Sequence, residues 1–115
     1  QIRSINDITE GQAGIDEDFS PHPYIFALHS NYPNPFNPET HLRFEVGAQV
    51  DVKLAIYDVL GRIIRSFDKQ EYTPGRHIIN WDGKDNNGSY VSSGIYIYRM
   101  KAGDFVEHKK MMLIR

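Results

Sequence analysis

The densest group of oxygen ligands in the sequence lies in residues 82–88. Asp82, Asp85, Asn86 and Asn87 bring together carboxylate and amide oxygens, which are the ligands that Ca²⁺ accepts. The spacing differs from that of an EF-hand, because Lys84 stands at the third position of the loop. Turn-forming residues dominate the run, so the sequence predicts a structural turn, assigns no metal and leaves calcium binding open.

No pattern of catalytic residues or zinc ligands occurs in the sequence. The chain has no cysteine, and its five histidines include no HExxH pair. A GxSxG serine elbow and the glycine-rich phosphate-binding loops are also missing. The motifs therefore give no positive support for catalytic residues or a cofactor, and a triad or carboxylate pair assembled only by the fold stays open.

The last seven residues, Lys109 to Arg115, run basic and then apolar to the end of the sequence. A strand that ends a small domain usually becomes polar, and an unpaired apolar strand can be bound by β-augmentation. In that interpretation main-chain hydrogen bonds give affinity, alternating methionine and leucine side chains fill pockets, and the cations give charge complementarity. Deletion of this segment is then expected to leave the core largely folded. Simple pairing of the strand inside the fold is the alternative.

A two-residue period in hydrophobicity begins near residue 41 and predicts β-strands rather than helices. The runs from Leu42 to Val46 and from Val50 to Ile56 both alternate apolar and polar residues. Asp58 to Gly61 predicts a turn into a third run, residues 62–67. Two adjacent isoleucines in that run favour a β-bulge.

Three further strands are expected at residues 76–81, 95–101 and 105–114. Trp81, the single tryptophan, is expected to anchor the core. The face formed by Tyr96, Tyr98 and Met100 is expected to be mostly buried as well.

Short strands separated by turn signals are typical of a β-sandwich. The gaps between the strands are too short for the helices of a parallel α/β fold. The sequence therefore predicts an all-β fold, an immunoglobulin-like antiparallel β-sandwich of about six to seven strands without a disulfide. A small barrel is the second choice.

The chain divides by charge into an acidic front and a basic remainder. Residues 1–40 carry six acids and one base, and the whole chain carries 15 acids and 13 bases. A strongly basic nucleic-acid binder is thereby excluded.

Scattered glycine and proline predict an acidic linker or arm at residues 1–23 and a folded domain at residues 24–115. No apolar run in the sequence is long enough to predict a transmembrane segment. Residues 1–10 do not resemble a signal peptide. The start at Gln1 suggests that the sequence is part of a longer protein.

Residues 31–38 read NYPNPFNP, and their three prolines exclude a helix. We expect a stiff segment, called the strap below, whose Tyr32 and Phe36 insert into the core while asparagine side chains satisfy the turn backbone. Pro35 and Pro38 also match the PxxP pattern of proline-recognition ligands, a pattern of low specificity.

Several blocks of the sequence resemble, in order and at the family's spacing, the type A C-terminal sorting domain of type IX secretion (Por secretion) cargo. The blocks are FALH at 26–29, NYPNPFNPET at 31–40, IYDVLGR at 56–62, WDGKD at 81–85, SGIYIYR at 93–99, AGDF at 102–105 and the terminal KKMMLIR. The resemblance covers about residues 24–115, and the family is similar in turn to the Ig-like domain of flagellar hook-capping proteins. The motif residues to which it gives a structural role are Asn31, Tyr32, Pro33, Asn34, Pro35, Phe36, Asn37, Pro38, Tyr57, Asp58, Gly61, Arg62, Trp81, Asp82, Gly83, Gly94 and Tyr96.

The resemblance implies a secretion signal that is covalently part of a larger exported cargo protein and is not itself an enzyme. Its implied partners are the outer-membrane type IX translocon and a sortase-like peptidase, with the acidic arm as the place of processing. Its implied location is secreted or at the cell surface, reached through the periplasm. The residues implied in translocon recognition are Lys109, Lys110, Met111, Leu113, Ile114 and Arg115.

Two non-catalytic alternatives remain open from the residues alone. A carbohydrate- or surface-binding module would stack Tyr90, Tyr96 or Tyr98 on sugar rings. A structural or assembly module of an extracellular protein would instead associate with copies of itself.

Overall fold

The computed structural model describes residues 24–115, and the acidic arm expected at residues 1–23 lies outside them. The described chain is all-β, and it contains no helix long and apolar enough to cross a membrane. Its eight strands are β1 (Ala27–Leu28), β2 (Thr40–Val46), β3 (Val50–Asp58), β4 (Ile63–Ser66), β5 (Gln70–Tyr72), β6 (Gly75–Trp81), β7 (Gly94–Ala102) and β8 (Phe105–Leu113).

The strands form two antiparallel sheets. Strands β1, β2 and β6 form a three-stranded sheet in that order, the small sheet. The large sheet has the order β4-β3-β7-β8, and β5 also pairs with β3. This arrangement confirms the predicted immunoglobulin-like β-sandwich. The two strands that the alternation did not identify, β1 and β5, are too short to show a period.

The core lies between the sheets, and the two-residue period explains which side chains reach it. In β2 and β3 every second residue faces inward, so the apolar members of the alternation are buried and the polar ones face outward. The most deeply buried large side chains are Trp81, Tyr98, Phe36, Phe44, Leu42, Leu54, Ile56, Met100, Met111, Leu113, Val46 and Val52.

Trp81 anchors one end of this core, as predicted. Its ring centroid lies 5.5 Å from that of Phe36 and 5.7 Å from that of Tyr96. Its indole N–H donates to the Lys84 carbonyl at 2.9 Å, so the polar atom is satisfied although the ring is buried. The expected burial of Tyr96, Tyr98 and Met100 is also confirmed.

The predicted bulge occurs in β4. Arg65 pairs with Ile56, and the next pair is Ile63 with Tyr57, which leaves Ile64 as the extra residue. The bulge turns Ile63 outward, where it is exposed, while Ile64 packs against the core.

Candidate functional site

The last strand, β8, lies at one edge of the large sheet. It pairs with β7 along its whole length, from Ala102 opposite Phe105 to Gly94 opposite Leu113. The predicted strand at the end of the chain is therefore present and fully paired on one side. Its opposite side is the candidate for recognition by a partner.

Alternation along β8 divides the terminal segment by exposure. Of the predicted recognition residues, Met111 and Leu113 point into the core and are buried, Lys109 is half-buried, and Lys110, Ile114 and Arg115 are exposed. Met112, which was not among the predicted residues, is also exposed, on the outer face of the large sheet. The pockets that Met111 and Leu113 fill belong to this domain's own core, so these two side chains are not accessible to a partner in this fold.

The strap covers the outer edge of β8 at its end. Phe36 forms a parallel bridge with Leu113, donating its N–H to the Met112 carbonyl and accepting the Ile114 N–H, both at 3.0 Å. The Met112 N–H donates to the side-chain oxygen of Asn34 at 3.1 Å. The main-chain groups expected to bind a partner by β-augmentation are therefore already used at this end of the strand.

The strap differs from its prediction at one of its two aromatic residues. Phe36 is 2% exposed and contacts Trp81, but Tyr32 is 67% exposed and does not enter the core. The reason is that Phe36 pairs with the last strand, whereas Tyr32 pairs by an isolated bridge with His41 at the outside of β2.

Asparagine side chains organise the strap only in part as predicted. The Asn31 amide donates to the Pro33 carbonyl at 3.1 Å and to the Thr40 hydroxyl at 3.0 Å, which satisfies the turn. Asn34 instead bonds the distant backbone of Met112. One buried polar atom, the Asn31 side-chain oxygen, has no hydrogen-bond partner among the described residues.

The expectation that deletion of residues 109–115 leaves the core largely folded is contradicted by this packing. The deleted segment contains Met111 and Leu113, two of the most deeply buried side chains. It also contains every hydrogen-bond partner of the strap on β8. Removing buried side chains of this size costs about 2–5 kcal/mol each, so the deletion would test folding and not recognition.

The two ends of the terminal segment make specific contacts of their own. The Arg115 N–H donates to the Ser93 hydroxyl at 2.9 Å, and its guanidinium donates to the Val91 carbonyl at 2.6 Å and lies 4.8 Å from the Tyr90 ring centroid. Lys109 lies 4.0 Å from the Glu107 carboxylate. Arg115 thus fixes the chain end against the loop before β7.

A tight turn between β3 and β4 carries the IYDVLGR block. The Asp58 carboxylate accepts the Leu60 and Arg62 backbone N–H groups, both at 2.9 Å, and the Arg62 guanidinium at 2.7 Å. These bonds, led by that from the Arg62 backbone, hold the pKa of Asp58 below its ordinary value. Gly61 has φ 84°, a conformation that glycine adopts without strain. The turn leaves Val59 and Leu60 exposed.

The loop after β6 is a structural turn held by its own aspartates. The Asp82 carboxylate accepts the Lys84 N–H at 3.0 Å and the Arg65 guanidinium at 3.1 Å, and Asp85 accepts the Asn87 and Ser89 N–H groups. No group of three or more metal-ligating side chains converges within residues 24–115.

Gly83 in this loop lies directly against the strap. A Cβ at this position would be 2.7 Å from the Pro38 carbonyl oxygen, and its φ of 79° also requires glycine. The WDGKD block and the strap therefore form one packed unit.

Two of the three tyrosines proposed for sugar stacking lie in the interior. Tyr96 and Tyr98 are buried, and their hydroxyls donate to the carbonyls of Ser92 and His29, both at 2.6 Å. Burial raises the pKa of Tyr98 to about 12. Tyr90 is exposed, but Lys84 and Arg115 lie over its ring. The face of β7 therefore offers no stack of aromatic rings to a sugar.

Two shallow cavities open on the outer face of the large sheet, on either side of Val59. One, of about 200 Å³, is lined by Val59, Leu60 and Ile95, and the other, of about 440 Å³, by Val59, Ile97 and Arg99. None of these five residues was singled out for recognition from the sequence. The available signal was the pair of apolar residues, Val59 and Leu60, inside a turn, where side chains are usually polar.

Comparisons with known proteins agree with this architecture. The model of the FlgD Ig-like domain family matches residues 32–104. The chain belongs to the FlgD Ig-like domain family. The match confirms the similarity to the flagellar Ig-like domain that the sequence predicted. No curated protein sequence matches the chain.

Solved structures with the same fold include two proteins of Porphyromonas gingivalis and one of P. aeruginosa. Dimeric latent PorU from Porphyromonas gingivalis matches at a TM-score of 0.66, 21% identity and 83% of this chain. PorZ from the same organism is described as an essential bacterial surface component of the type IX secretion system. It matches at a TM-score of 0.54 and 20% identity over 76% of this chain. FlgD from P. aeruginosa matches at a TM-score of 0.53 and 17% identity over 64% of this chain.

This Ig-like domain corresponds to only a part of each of those proteins. It covers 10% of the PorU chain, 11% of the PorZ chain and 58% of the FlgD chain. At these identities the similarity concerns the fold, an Ig-like sandwich that these larger proteins share.

Proposed function

We propose that this Ig-like domain is the C-terminal sorting signal of a larger exported protein, recognised by the outer-membrane type IX translocon. The observation that carries the proposal is the last strand, which is built into the sheet and held by the strap while Lys110, Met112 and Ile114 remain exposed. The resemblance of the terminal KKMMLIR and of the strap to type IX sorting domains supports the same assignment. The shared fold of PorU and PorZ is consistent with it.

In this proposal the domain is a label and carries out no reaction. Secretion, removal of the domain by a sortase-like peptidase and attachment of the cargo at the cell surface are performed by the partner proteins. The acidic arm at residues 1–23 is the segment in which we place the processing site.

A reporter fusion tests this role. The full chain is placed behind a periplasm-directed fluorescent protein in a bacterium with a type IX system and in a strain that lacks the translocon. We expect fluorescence at the surface and in the medium only when domain and translocon are both present. Equal retention of the fusion in the periplasm of both strains would contradict the proposal.

A structural or assembly module is the second candidate, favoured by the exposed apolar side chains on the large sheet. Sedimentation of the purified chain over a range of concentrations distinguishes the two candidates. Self-association at micromolar concentration together with no export would favour the assembly module.

A further inference from the structure

Exposed apolar side chains gather at one end of the outer face of the large sheet. Ile95 on β7 and Met112 on β8 are cross-strand partners, and they are 40% and 41% exposed. Ile114 follows Met112 on the same face, and Val59 lines a cavity together with Ile95. We define the outer patch as Val59, Leu60, Ile95, Met112 and Ile114.

The turn that displays Val59 and Leu60 is held in place before any partner binds. Three hydrogen bonds to the Asp58 carboxylate fix it, as described above. Exposed side chains on a fixed turn lose little conformational entropy on binding, which favours recognition. The two cavities beside Val59 are depressions in this surface that side chains of another protein can fill.

Two cationic side chains, those of Arg99 and Lys110, border the outer patch on the face of the large sheet. Lys110 pairs across the strands with Ile97, and Arg99 pairs with His108, so both cations lie next to the apolar residues. Neither Arg99 nor Lys110 forms an ion pair with another residue in the 24–115 segment. A partner with carboxylates at the corresponding positions would complement this border.

The alternative way to bind β8, strand addition at its edge, is blocked where the patch lies. The strap occupies the outward N–H and carbonyl groups of Met112 and the N–H of Ile114. A partner can reach the end of β8 without displacing the strap only through the exposed side chains of the sheet face.

We infer that the recognition partner of this domain binds the outer patch face-on, through a protein surface of apolar side chains flanked by carboxylates. The inference rests on the proposed function and extends the recognition surface from β8 to Ile95 on β7 and to the turn at Val59 and Leu60. A second copy of the chain fits less well, because the five residues of its outer patch include no carboxylate to pair with Arg99 and Lys110. A lipid surface would not use the cavities.

The test compares variants of the full chain in the reporter fusion. Val59→Asp and Ile95→Asp place a charge in the patch without altering a buried residue, and Lys110→Glu reverses the border charge. We expect Val59→Asp and Ile95→Asp to lower exported fluorescence by about tenfold or more, equivalent to about 1.4 kcal/mol of binding. Lys110→Glu is expected to lower it by about threefold or more.

Matched controls make the same changes elsewhere on the surface. Ile78→Asp alters an isoleucine that is exposed on the outer face of the small sheet, and Lys69→Glu alters an exposed lysine before β5. Both controls are expected to export within about twofold of the parent chain. Thermal unfolding of each purified variant checks its folding, and Val59→Ser and Ile95→Ser replace any variant that fails to fold.

The outcomes separate this inference from the proposed function. Normal, translocon-dependent export of folded Val59→Asp and Ile95→Asp would overturn the inference and leave the sorting role intact. Export of the parent chain that does not depend on the translocon would overturn both. Flotation of the purified chain with vesicles of phosphatidylglycerol, if Ile95→Asp abolished it, would show that the outer patch binds lipid and would overturn the inference. Self-association of the purified chain, if Ile95→Asp abolished it, would show that the patch binds a second copy and would overturn it as well.

Discussion

Phe36 and Tyr32 belong to the same strap but contribute to the fold in opposite ways. Phe36 is buried against Trp81 and is bridged to Leu113, while Tyr32 lies outside β2. A proline-rich segment has no two-residue or 3.6-residue period, so its sequence alone does not reveal which aromatic side chain faces inward. The stabilising role of the strap therefore depends mainly on one residue.

Replacing Phe36 with alanine should destabilise the domain by about 3–5 kcal/mol, because a large buried ring is lost and a cavity forms beside Trp81. Denaturation by urea, followed by tryptophan fluorescence, measures the change. Tyr32→Ala is the matched control and should stay within about 0.5 kcal/mol of the parent chain. Equal losses for the two variants would contradict the position of Phe36.

Tyr98 couples the stability of the fold to alkaline pH. Its hydroxyl donates to the His29 carbonyl, and burial raises its pKa from 10.0 to about 12. Because the folded-state pKa is raised, the stabilising contribution is complete below pH 10 and is lost as the pH rises through 12. Burial raises the pKa of Tyr72 in the same direction.

The free energy of unfolding should therefore fall between pH 10 and pH 12, and less steeply in Tyr98→Phe than in the parent chain. At neutral pH the same variant should lose about 1 kcal/mol through the lost hydrogen bond. Urea denaturation at a series of pH values measures both effects. A pH dependence identical in the two proteins would show that Tyr98 ionises as readily when folded as when unfolded.

At the scale of elements, the strap and β8 act as one pair although they are distant in sequence. The strap uses the outward main-chain groups at the end of the strand, whereas those of His108 and Lys110 have no partner among the described residues. Main-chain groups along an antiparallel strand point alternately to its two sides, so those of His108, Lys110, Met112 and Ile114 all point to the same edge. One strand therefore has a covered half and an open half.

Hydrogen exchange should reveal the two halves. The amides of Met112 and Ile114 should exchange slowly and those of His108 and Lys110 quickly, because only the first two are bonded. Asn34→Ala removes the acceptor of the Met112 amide and should speed its exchange about fivefold, equivalent to about 1 kcal/mol. The Ile114 amide, bonded to Phe36, serves as the internal control. Exchange of Met112 as fast as that of Lys110 in the parent chain would rule out the strap contact.

The strands and the inward faces of β2, β3, β6 and β7 could be predicted from the sequence, because alternation and turn residues are local signals. The pairing of Phe36 with Leu113 could not, because no local pattern specifies a contact between such distant residues. The residues of the outer patch other than Ile114 were missed for the same reason. Val59, Ile95 and Met112 come together only through the order of strands in the large sheet.

At the scale of the whole molecule, several of the blocks that resemble the sorting domain meet at one end of the sandwich. Phe36 contacts Trp81, Trp81 contacts Tyr96, and Gly83 lies against Pro38. The motif residues in these contacts build the fold. The accessible part of the terminal segment is the set of residues that this framework leaves exposed.

The sheet pairing of the described residues lies within residues 27–113, which predicts that a chain shortened to residues 24–115 folds as well as the full chain. Its melting temperature should differ from that of the full chain by no more than about 2 °C, since less than about 0.5 kcal/mol is expected to be lost. Circular dichroism during heating measures the melting temperatures of the two chains. A much lower value for the shortened chain would show that residues 1–23 belong to the folded unit.

The hydrogen bond between Asn34 and Met112 joins residues 78 positions apart. Contacts between residues so far apart in sequence form late in folding, because a long loop must close before they contribute any favourable free energy. Synthesis proceeds from the N-terminus, so a nascent copy of this domain has no closing strand until residues 105–113 have been made. A copy that stops before Leu113 would lack that side chain, the finished core and part of the outer patch together. Formation of the outer patch therefore depends on the same strand that completes the fold.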